Sequence, residues 1–405
     1  MSENVGGWRQ LWPLAVGCAL GSTMSWRVQA AEYSFAPIMS WTTDYSSNRY
    51  LVANSPPGEG GFVTFDAALT RTTAILELDL KPSFAVQRFS NNSATNTFNR
   101  SLAGSGMWTH ERSIFNFGGS YSDLSTLTTE LASTGIVQGN THQRQAVGTG
   151  SWQWQQSEKR QSTVSVAYND TTYVGQQATV LPGYRTANAS IAERFTLSTP
   201  TALTVTAFGG DLRSNTLPSE SEAQLTIAVD HSFSERFTMY ASAGANDRRS
   251  SGQYNPSAGI TDRSASGQHI GYVGEIWLKR IDERNQWKVD YARTVAASGF
   301  GILTVHDEAA LSFTRDLMSE LSAGLRLGAS QDKYDVATGP FVLLSRRYET
   351  ADASLNWMSG ETSTVSLGSG YQRATASSQP PTPLASGWRL SVTYRWTPRP
   401  SSFSR

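Results

Sequence analysis

The sequence predicts an all-β chain that folds as a single transmembrane antiparallel β-barrel of about eighteen strands, with sixteen as the main alternative. Charged residues make up only 16% of the 405 residues, whereas a soluble domain usually carries about a quarter. No apolar block after the N-terminus reaches the roughly 20 residues that a membrane helix needs. Instead, apolar and polar residues alternate with a period of two along most of the chain.

This alternation defines the individual strands. Between Leu76 and Lys81 leucines alternate with charged residues, and between Leu321 and Ser330 leucines and alanines alternate with polar ones. A helix would need a period near 3.6, so these segments are strands. The predicted strands are residues 33–45, 62–70, 74–89, 96–110, 113–124, 144–156, 161–174, 184–197, 202–213, 222–233, 236–247, 266–281, 286–298, 302–315, 320–334, 346–357, 362–375 and 387–396.

The connections between these strands alternate in length. Tight turns follow the even-numbered strands, and longer segments rich in Gly, Ser, Asn and Pro follow most odd-numbered ones: 46–61, 125–143, 175–183, 248–265, 335–345 and 376–386. Short periplasmic turns with long outer loops are typical of outer-membrane barrels, whereas a soluble sandwich or propeller has no reason to sort loops by parity. Aromatic residues near the turns predict a girdle at headgroup depth: Trp152, Trp154, Trp277, Trp287, Trp357, Trp388, Tyr394 and Trp396.

The chain divides into three segments. Residues 1–30 are predicted to be a cleavable signal peptide, with Arg9 before an apolar stretch and Val28-Gln29-Ala30 as the cleavage site. A lipoprotein signal ending at Cys18 is the alternative, but the apolar stretch before that cysteine is too short. Residues 31–396 form the barrel and 397–405 a polar periplasmic tail. We therefore expect the bacterial cell outer membrane as the location, with its lipid and lipopolysaccharide as partners.

Charged residues inside the strands are expected to face the lumen, because Lys or Arg facing lipid at mid-membrane costs about 2–4 kcal/mol. They either line a water-filled pore or form cross-strand pairs that brace the wall, and Glu308 is expected opposite Arg326. The predicted pore-lining residues are Asp66, Glu77, Asp79, Lys81, Asp230, Glu275, Lys279, Lys288, Asp290, Glu308, Arg326, Asp352, Arg389 and Arg395.

The sequence contains no pattern of an enzyme or of a cofactor site. It has no Gly-x-Ser-x-Gly elbow, no His-Glu-x-x-His motif and no Cys or His cluster with metal spacing. Strand pairing is expected to place Thr294, not an acid, beside the lumen-facing His306, while Asp307 points to the opposite face. We therefore expect no catalytic residue, metal or cofactor. The formal net charge of 0 gives no reason to expect nucleic acid as a partner.

The segment from Phe35 to Leu51 resembles the start of β-barrel porins encoded with bacterial exopolysaccharide systems, including those tied to exosortase-type sorting. The matching residues are Pro37, Tyr45, Asn48 and Leu51, and Ser47 stands where that family often has Asp. The resemblance covers about twenty residues. It implies a conduit or assembly partner for exopolysaccharide export, with periplasmic polysaccharide-export proteins as partners.

The strand pattern by itself indicates only a barrel, so two further interpretations stay open beside the polysaccharide conduit. One is a general diffusion porin for small polar solutes. The other is a closed structural barrel, which needs a plug because eighteen strands enclose more volume than the wall side chains fill. The 125–143 loop is the best candidate for a constriction, although it has enough apolar residues to pack either inside or outside the barrel.

Overall fold

The computed structural model describes residues 31–48, 51, 57–90, 96–126, 141–175, 182–215, 217–251, 266–298, 301–333, 346–376 and 385–404. The predicted signal peptide and most of the 125–143 loop lie outside these residues. Almost all of the described residues belong to strands or to the turns that join them. No helix in the described part of the chain is both long enough and apolar enough to cross a membrane.

Eighteen long strands and one short strand make up the sheet. Each long strand has 12–16 residues, more than the roughly 9–11 that are needed to cross a bilayer. They are β1 (Glu32–Ser46), β2 (Gly58–Thr72), β3 (Leu76–Phe89), β4 (Thr97–His110), β5 (Ser113–Ser125), β6 (His142–Ser157), β7 (Arg160–Val174), β8 (Tyr184–Ser198), β9 (Thr201–Ser214), β10 (Glu220–Ser234), β11 (Phe237–Ser251), β12 (Ser266–Ile281), β13 (Asn285–Ala297), β14 (Leu303–Asp316), β15 (Leu321–Lys333), β16 (Arg346–Gly360), β17 (Ser363–Ala376), β18 (Ala385–Trp396) and β19 (Ser401–Ser404).

The strands close into a barrel. Each long strand pairs antiparallel with the next in sequence, and β18 pairs with β1 from Met39↔Trp396 to Ser46↔Arg389. The count of eighteen confirms the predicted fold and excludes sixteen. The largest differences from the predicted ends are four residues, at the start of β2 and at the end of β11.

The C-terminal segment differs from the predicted polar tail. Residues 401–404 form β19, which pairs with Glu32–Phe35 at the start of β1. β19 continues the edge that β18 leaves at Trp396. The interruption contains Pro398 and Pro400, which have no N–H to donate to the ladder.

The two faces of the barrel wall differ in chemistry and in exposure. Along β10, Leu225 and Ile227 are 55% and 53% exposed, whereas Gln224 and Thr226 are half-buried and Ala228 is buried. The less exposed, polar face is the concave inner face, and the apolar face is the convex outer one. This arrangement gives the outside of the barrel a surface that lipid can cover.

Aromatic rings on the outer face form a continuous row near the short turns. Trp108 stacks on Phe115 at 5.1 Å between ring centroids, Phe115 on Trp152 at 6.1 Å, and Trp152 on Trp154 at 6.1 Å. The row crosses β4, β5 and β6. Amphipathic rings at this height are typical of a headgroup-level girdle.

The predicted position of Trp277 in the aromatic girdle is wrong. It pairs with Tyr240 on β11 and with Asp290 on β13, and both partners lie on the inner face. The physical reason is the alternation of the strand, because Trp277 has the same parity as Glu275 and Lys279. Its neighbour across the turn, Trp287, pairs with Phe313 on the outer face.

Candidate pore wall

Continuous strand pairing fixes the face on which each predicted pore-lining residue lies. Asp66 pairs with Ser83 and Asp79 pairs with Ser105, and paired residues lie on the same face of the sheet. The same face can be followed in this way from strand to strand around the barrel. This series of partners ends where Arg389 pairs with Ser46. All fourteen residues therefore lie on the inner face of the wall.

Eight of the fourteen charged side chains form ion pairs. Two pairs lie along single strands: Lys81 with Asp79 at 3.8 Å and Lys288 with Asp290 at 3.1 Å. Another pair crosses β17, where the Arg389 guanidinium lies 3.7 Å from the Asp352 carboxylate above Gly370. The last two pairs are those of Glu308 with His306 at 3.7 Å and of Asp230 with Arg194 at 2.8 Å.

The expected pairing of Glu308 with Arg326 is wrong. Glu308 lies opposite Ser330, and Arg326 lies opposite Ser312 on one side and Asp352 on the other. The turn between β14 and β15 has four residues, 317–320. The prediction rests on a tighter turn near Met318. The longer turn moves the partner of Glu308 by four residues, which keeps both side chains inside but separates them.

The other six charged side chains have no charged partner within ion-pairing distance in the described chain. None of these side chains is buried. They are distributed over five strands and are Asp66, Glu77, Glu275, Lys279, Arg326 and Arg395.

Two contacts on the inner face were not predicted from the sequence. The Nη1 atom of Arg194 lies 2.8 Å from Oδ2 of Asp230, although β9 separates their strands. The Nδ1 atom of His306 lies 2.6 Å from Oδ1 of Asp332. Thr294 does lie opposite His306, as expected, but the second neighbouring strand supplies the acid. Only the register of a pair of strands shows such contacts, and the sequence gives no direct signal of register.

The inner wall is uneven around its circumference. Within the described parts of β4, β5, β6 and β7, no inner-face residue is charged, and hydroxyl and amide side chains predominate. A cavity of about 560 Å³ lies along this arc and reaches Glu77 and Asp79 on the neighbouring strand β3. Its lining includes Ser105, Asn116, Thr149, Ser165 and Asn188.

A pair of aromatic side chains lies on the inner face of β11 and β12. The rings of Tyr240 and Trp277 stack with 5.8 Å between centroids and an interplanar angle of 14°. The Lys288 ammonium lies 5.9 Å from the centre of the Trp277 ring, within the range of a cation–π contact.

The inner wall shows no arrangement for metal chemistry. Across the described residues, no group of three or more His, Cys, Asp or Glu side chains is placed to hold a metal ion. The arrangement can contact hydrated ions and polar molecules through charge, hydrogen bonds and half-buried aromatic rings.

Comparison with solved structures shows a barrel fold shared with known proteins. The crystal structure of OccAB4 from Acinetobacter baumannii matches with a TM-score of 0.51 at 8% identity, covering 92% of this chain and 98% of that one. OccK2 (OpdF) from Pseudomonas aeruginosa matches with a TM-score of 0.50 at 10% identity, covering 90% and 98%. This chain is a closed antiparallel β-barrel of eighteen strands, the fold of these structures. At such low identity the likeness shows the fold alone.

Searches by sequence add no relative. No protein-family model matches the chain, and no curated protein matches it significantly. What the barrel does must therefore be argued from its own wall.

Proposed function

We propose that this barrel is a passive channel through which small polar solutes diffuse across the outer membrane, and that the fourteen inner-face residues line its pore. Solutes move down their own concentration gradient, and no covalent step is involved. The wall lowers the cost of crossing because hydroxyls, amides and charges replace the hydrocarbon of the bilayer.

The unpaired charges on the inner face carry this proposal. Asp66, Glu275 and Arg326 are three of the six side chains without an ion-pair partner in the described chain. An unpaired charge excluded from water costs several kcal/mol, so a dry or packed interior would penalise every one of them. The six charges lie on the part of the wall that runs from β12 through β18 to β3, which supports water along that side of the lumen.

The size of the barrel supports the same conclusion. Closed barrels of 16–18 strands leave an aqueous channel, whereas about eight strands leave just enough space for side chains. Many inner-face positions are also small, including Gly118, Ala167 and Gly210. Wall side chains of this size cannot fill such a lumen, which argues against a closed structural barrel.

The charge of the wall supports a preference for cations. Acidic side chains outnumber basic ones on the described inner face. The acidic residues are Glu32, Asp44, Asp66, Glu77, Asp79, Glu220, Glu222, Asp230, Glu275, Asp290, Glu308, Asp316, Asp332 and Asp352, and the basic ones are Lys81, Arg194, Arg248, Lys279, Lys288, Arg326, Arg346, Arg389 and Arg395. A wall with excess negative charge raises the local concentration of cations. Uncharged solutes are expected to pass along the neutral arc of β4–β7.

Export of an exopolysaccharide remains a narrower proposal. It rests on the resemblance of residues 35–51 to porins of exopolysaccharide systems, which covers part of β1 and the loop after it. A polymer conduit needs a lumen that admits long oligosaccharides as readily as short ones. A diffusion channel for small solutes has a sharp size limit instead.

Liposome swelling tests these proposals. Vesicles containing the folded chain are diluted into isotonic solutions of neutral sugars of increasing length. A diffusion channel gives rapid swelling with mono- and disaccharides that falls steeply for longer oligosaccharides. Equal rates across the series support the conduit instead. No swelling with any sugar, from protein whose folding is confirmed by its heat-modifiable mobility, overturns both proposals.

A further inference from the structure

A cluster of charged side chains lies on the outer face of the barrel, near the extracellular ends of three strands. It consists of Arg100 on β4, Asp123 on β5, and His142 and Arg144 on β6, and is called the Asp123 patch below. Strand pairing puts Asp123 opposite both Arg100 and Arg144, on the same face as the exposed Leu102 and Tyr121. Charge on this face requires an explanation, because it is the face that lipid covers.

One carboxylate holds all three cationic or potentially cationic groups. Nη2 of Arg100 lies 3.0 Å from Asp123 Oδ2, Nε of Arg144 lies 3.4 Å from the same oxygen, and Nδ1 of His142 lies 2.7 Å from Oδ1. The Asp123 side chain is only 6% exposed, whereas those of Arg100 and Arg144 are 52% and 44% exposed. The acid is thus enclosed, whereas about half of each arginine side chain remains exposed.

The patch has more positive than negative charge, unlike its neighbours on the same rim. Further around the outer face, Arg185 pairs with Asp170 at 3.0 Å and Arg213 with Asp211 at 2.7 Å, one acid for each arginine. At Asp123 a single acid faces two arginines. Among the described residues, Asp123 is the one acid paired with Arg100 and Arg144, and the fork of each guanidinium matches the oxygens of a phosphate group.

Apolar side chains lie directly beside these cations. Phe98 and Leu102 flank Arg100 on the outer face of β4 and are 49% and 47% exposed, and Tyr121 on β5 is 45% exposed. A ligand of this surface must therefore carry an anionic group and an apolar part together. We propose that the Asp123 patch binds the phosphate group of a phosphorylated glycolipid of the outer leaflet, whose acyl chains lie along Phe98, Leu102 and Tyr121.

The same arrangement occurs on the far side of the barrel. Asp307 on β14, nine strands from β5, accepts from Nη1 of Arg293 at 3.2 Å and from Nζ of Lys333 at 2.9 Å. Its side chain is 14% exposed, and the Arg293 guanidinium lies 4.1 Å from the ring centre of Tyr272. Here too one enclosed acid holds two cations on the outer face, which supports a common role in contact with lipid headgroups.

The test compares binding of lipid A with binding of its fully dephosphorylated form to the folded chain in detergent, measured by native mass spectrometry. The variant with Arg100→Gln and Arg144→Gln removes the proposed phosphate donors. The control with Arg185→Gln and Arg213→Gln removes two arginines of the same rim that are matched by acids. The mobility shift on heating confirms that each variant is folded.

We expect the wild-type chain and the control to retain lipid A, and the Arg100/Arg144 variant to bind it at least about tenfold more weakly, since two charge-assisted contacts are lost. Dephosphorylated lipid A should bind weakly to all three. Equal retention of lipid A by the Arg100/Arg144 variant and the wild type overturns the proposal. So does equal binding of the two lipids by the wild type, or displacement of lipid A by the same concentration of inorganic phosphate.

Discussion

Arg194 on β8 and Asp230 on β10 form an ion pair across the intervening strand β9. Nη1 of Arg194 lies 2.8 Å from Oδ2 of Asp230, and the pair passes over Ala202 and Thr204 of β9, which leave space for it. The pair joins three strands on the inner face. Like the ion pair of Arg389 with Asp352, it joins two strands that are not adjacent.

Removal of this pair is expected to weaken the barrel only slightly. Both side chains are partly exposed to the lumen, so solvent screens their attraction. Asp230→Ala should lower the free energy of unfolding in detergent by about 1 kcal/mol or less, and Asp66→Ala, which removes an acid without an ion-pair partner, should change it less still. A double-mutant cycle with Arg194→Ala isolates the pair. A coupling energy well above about 1 kcal/mol would contradict the screened, lumen-exposed position of the pair.

The two faces of β10 should respond oppositely to a charge. Ile227 is at the middle of the strand on the outer face, and Thr226 is its neighbour on the inner face. Ile227→Arg should lower the free energy of unfolding in lipid vesicles by about 2–4 kcal/mol, because it places a cation at the bilayer midplane. Thr226→Arg should cost much less. Equal losses for the two variants contradict the assignment of faces.

Two glycines of the outer face should differ in their tolerance of alanine. A Cβ at Gly274 on β12 would lie 2.8 Å from the backbone carbonyl oxygen of Ser242, whereas a Cβ at Gly148 on β6 would meet nothing within 4 Å. Gly274→Ala should therefore destabilise the barrel by about 1–3 kcal/mol. Gly148→Ala should be neutral or slightly stabilising. Urea titration of both variants gives the comparison, and the reverse order would contradict the close approach of β11 and β12.

Reversal of the unpaired inner-face arginines should change ion selectivity. Arg326→Glu and Arg395→Glu each remove a positive charge from the lumen and add a negative one, so each should increase the preference for cations. Arg185→Glu makes the same change on the outer face and should leave selectivity unchanged. Reversal potentials under a salt gradient measure the effect. A shift for Arg185→Glu as large as for the inner-face variants would show that these arginines do not line the pore.

Strand positions could be predicted from the sequence because their causes are local. Alternation of apolar and polar residues sets the face of each residue, and it correctly placed Glu275 and Lys279 inside. Applied consistently, it would also have placed Trp277 inside. That residue was assigned to the girdle from its closeness to a turn, which is a weaker argument than parity.

Contacts between strands could not be predicted because they depend on register. The error at Glu308 and Arg326 came from a longer turn between β14 and β15, which moves the partner of Glu308 by four residues, to Ser330. Arg100 and Arg144 are 23 and 21 residues from Asp123 in sequence. For Arg144 and Asp123 the long loop between β5 and β6 hides the register completely. The Asp123 patch was therefore not visible in the sequence, although each of its members was.

The conductance of the folded chain in planar bilayers tests the central claim most directly. A water-filled lumen predicts a steady current above that of the bare bilayer, with a reversal potential under a salt gradient that favours cations over anions. Absence of current from protein that shows the heat-modifiable mobility of a folded barrel would contradict an open channel and would indicate that the lumen is blocked.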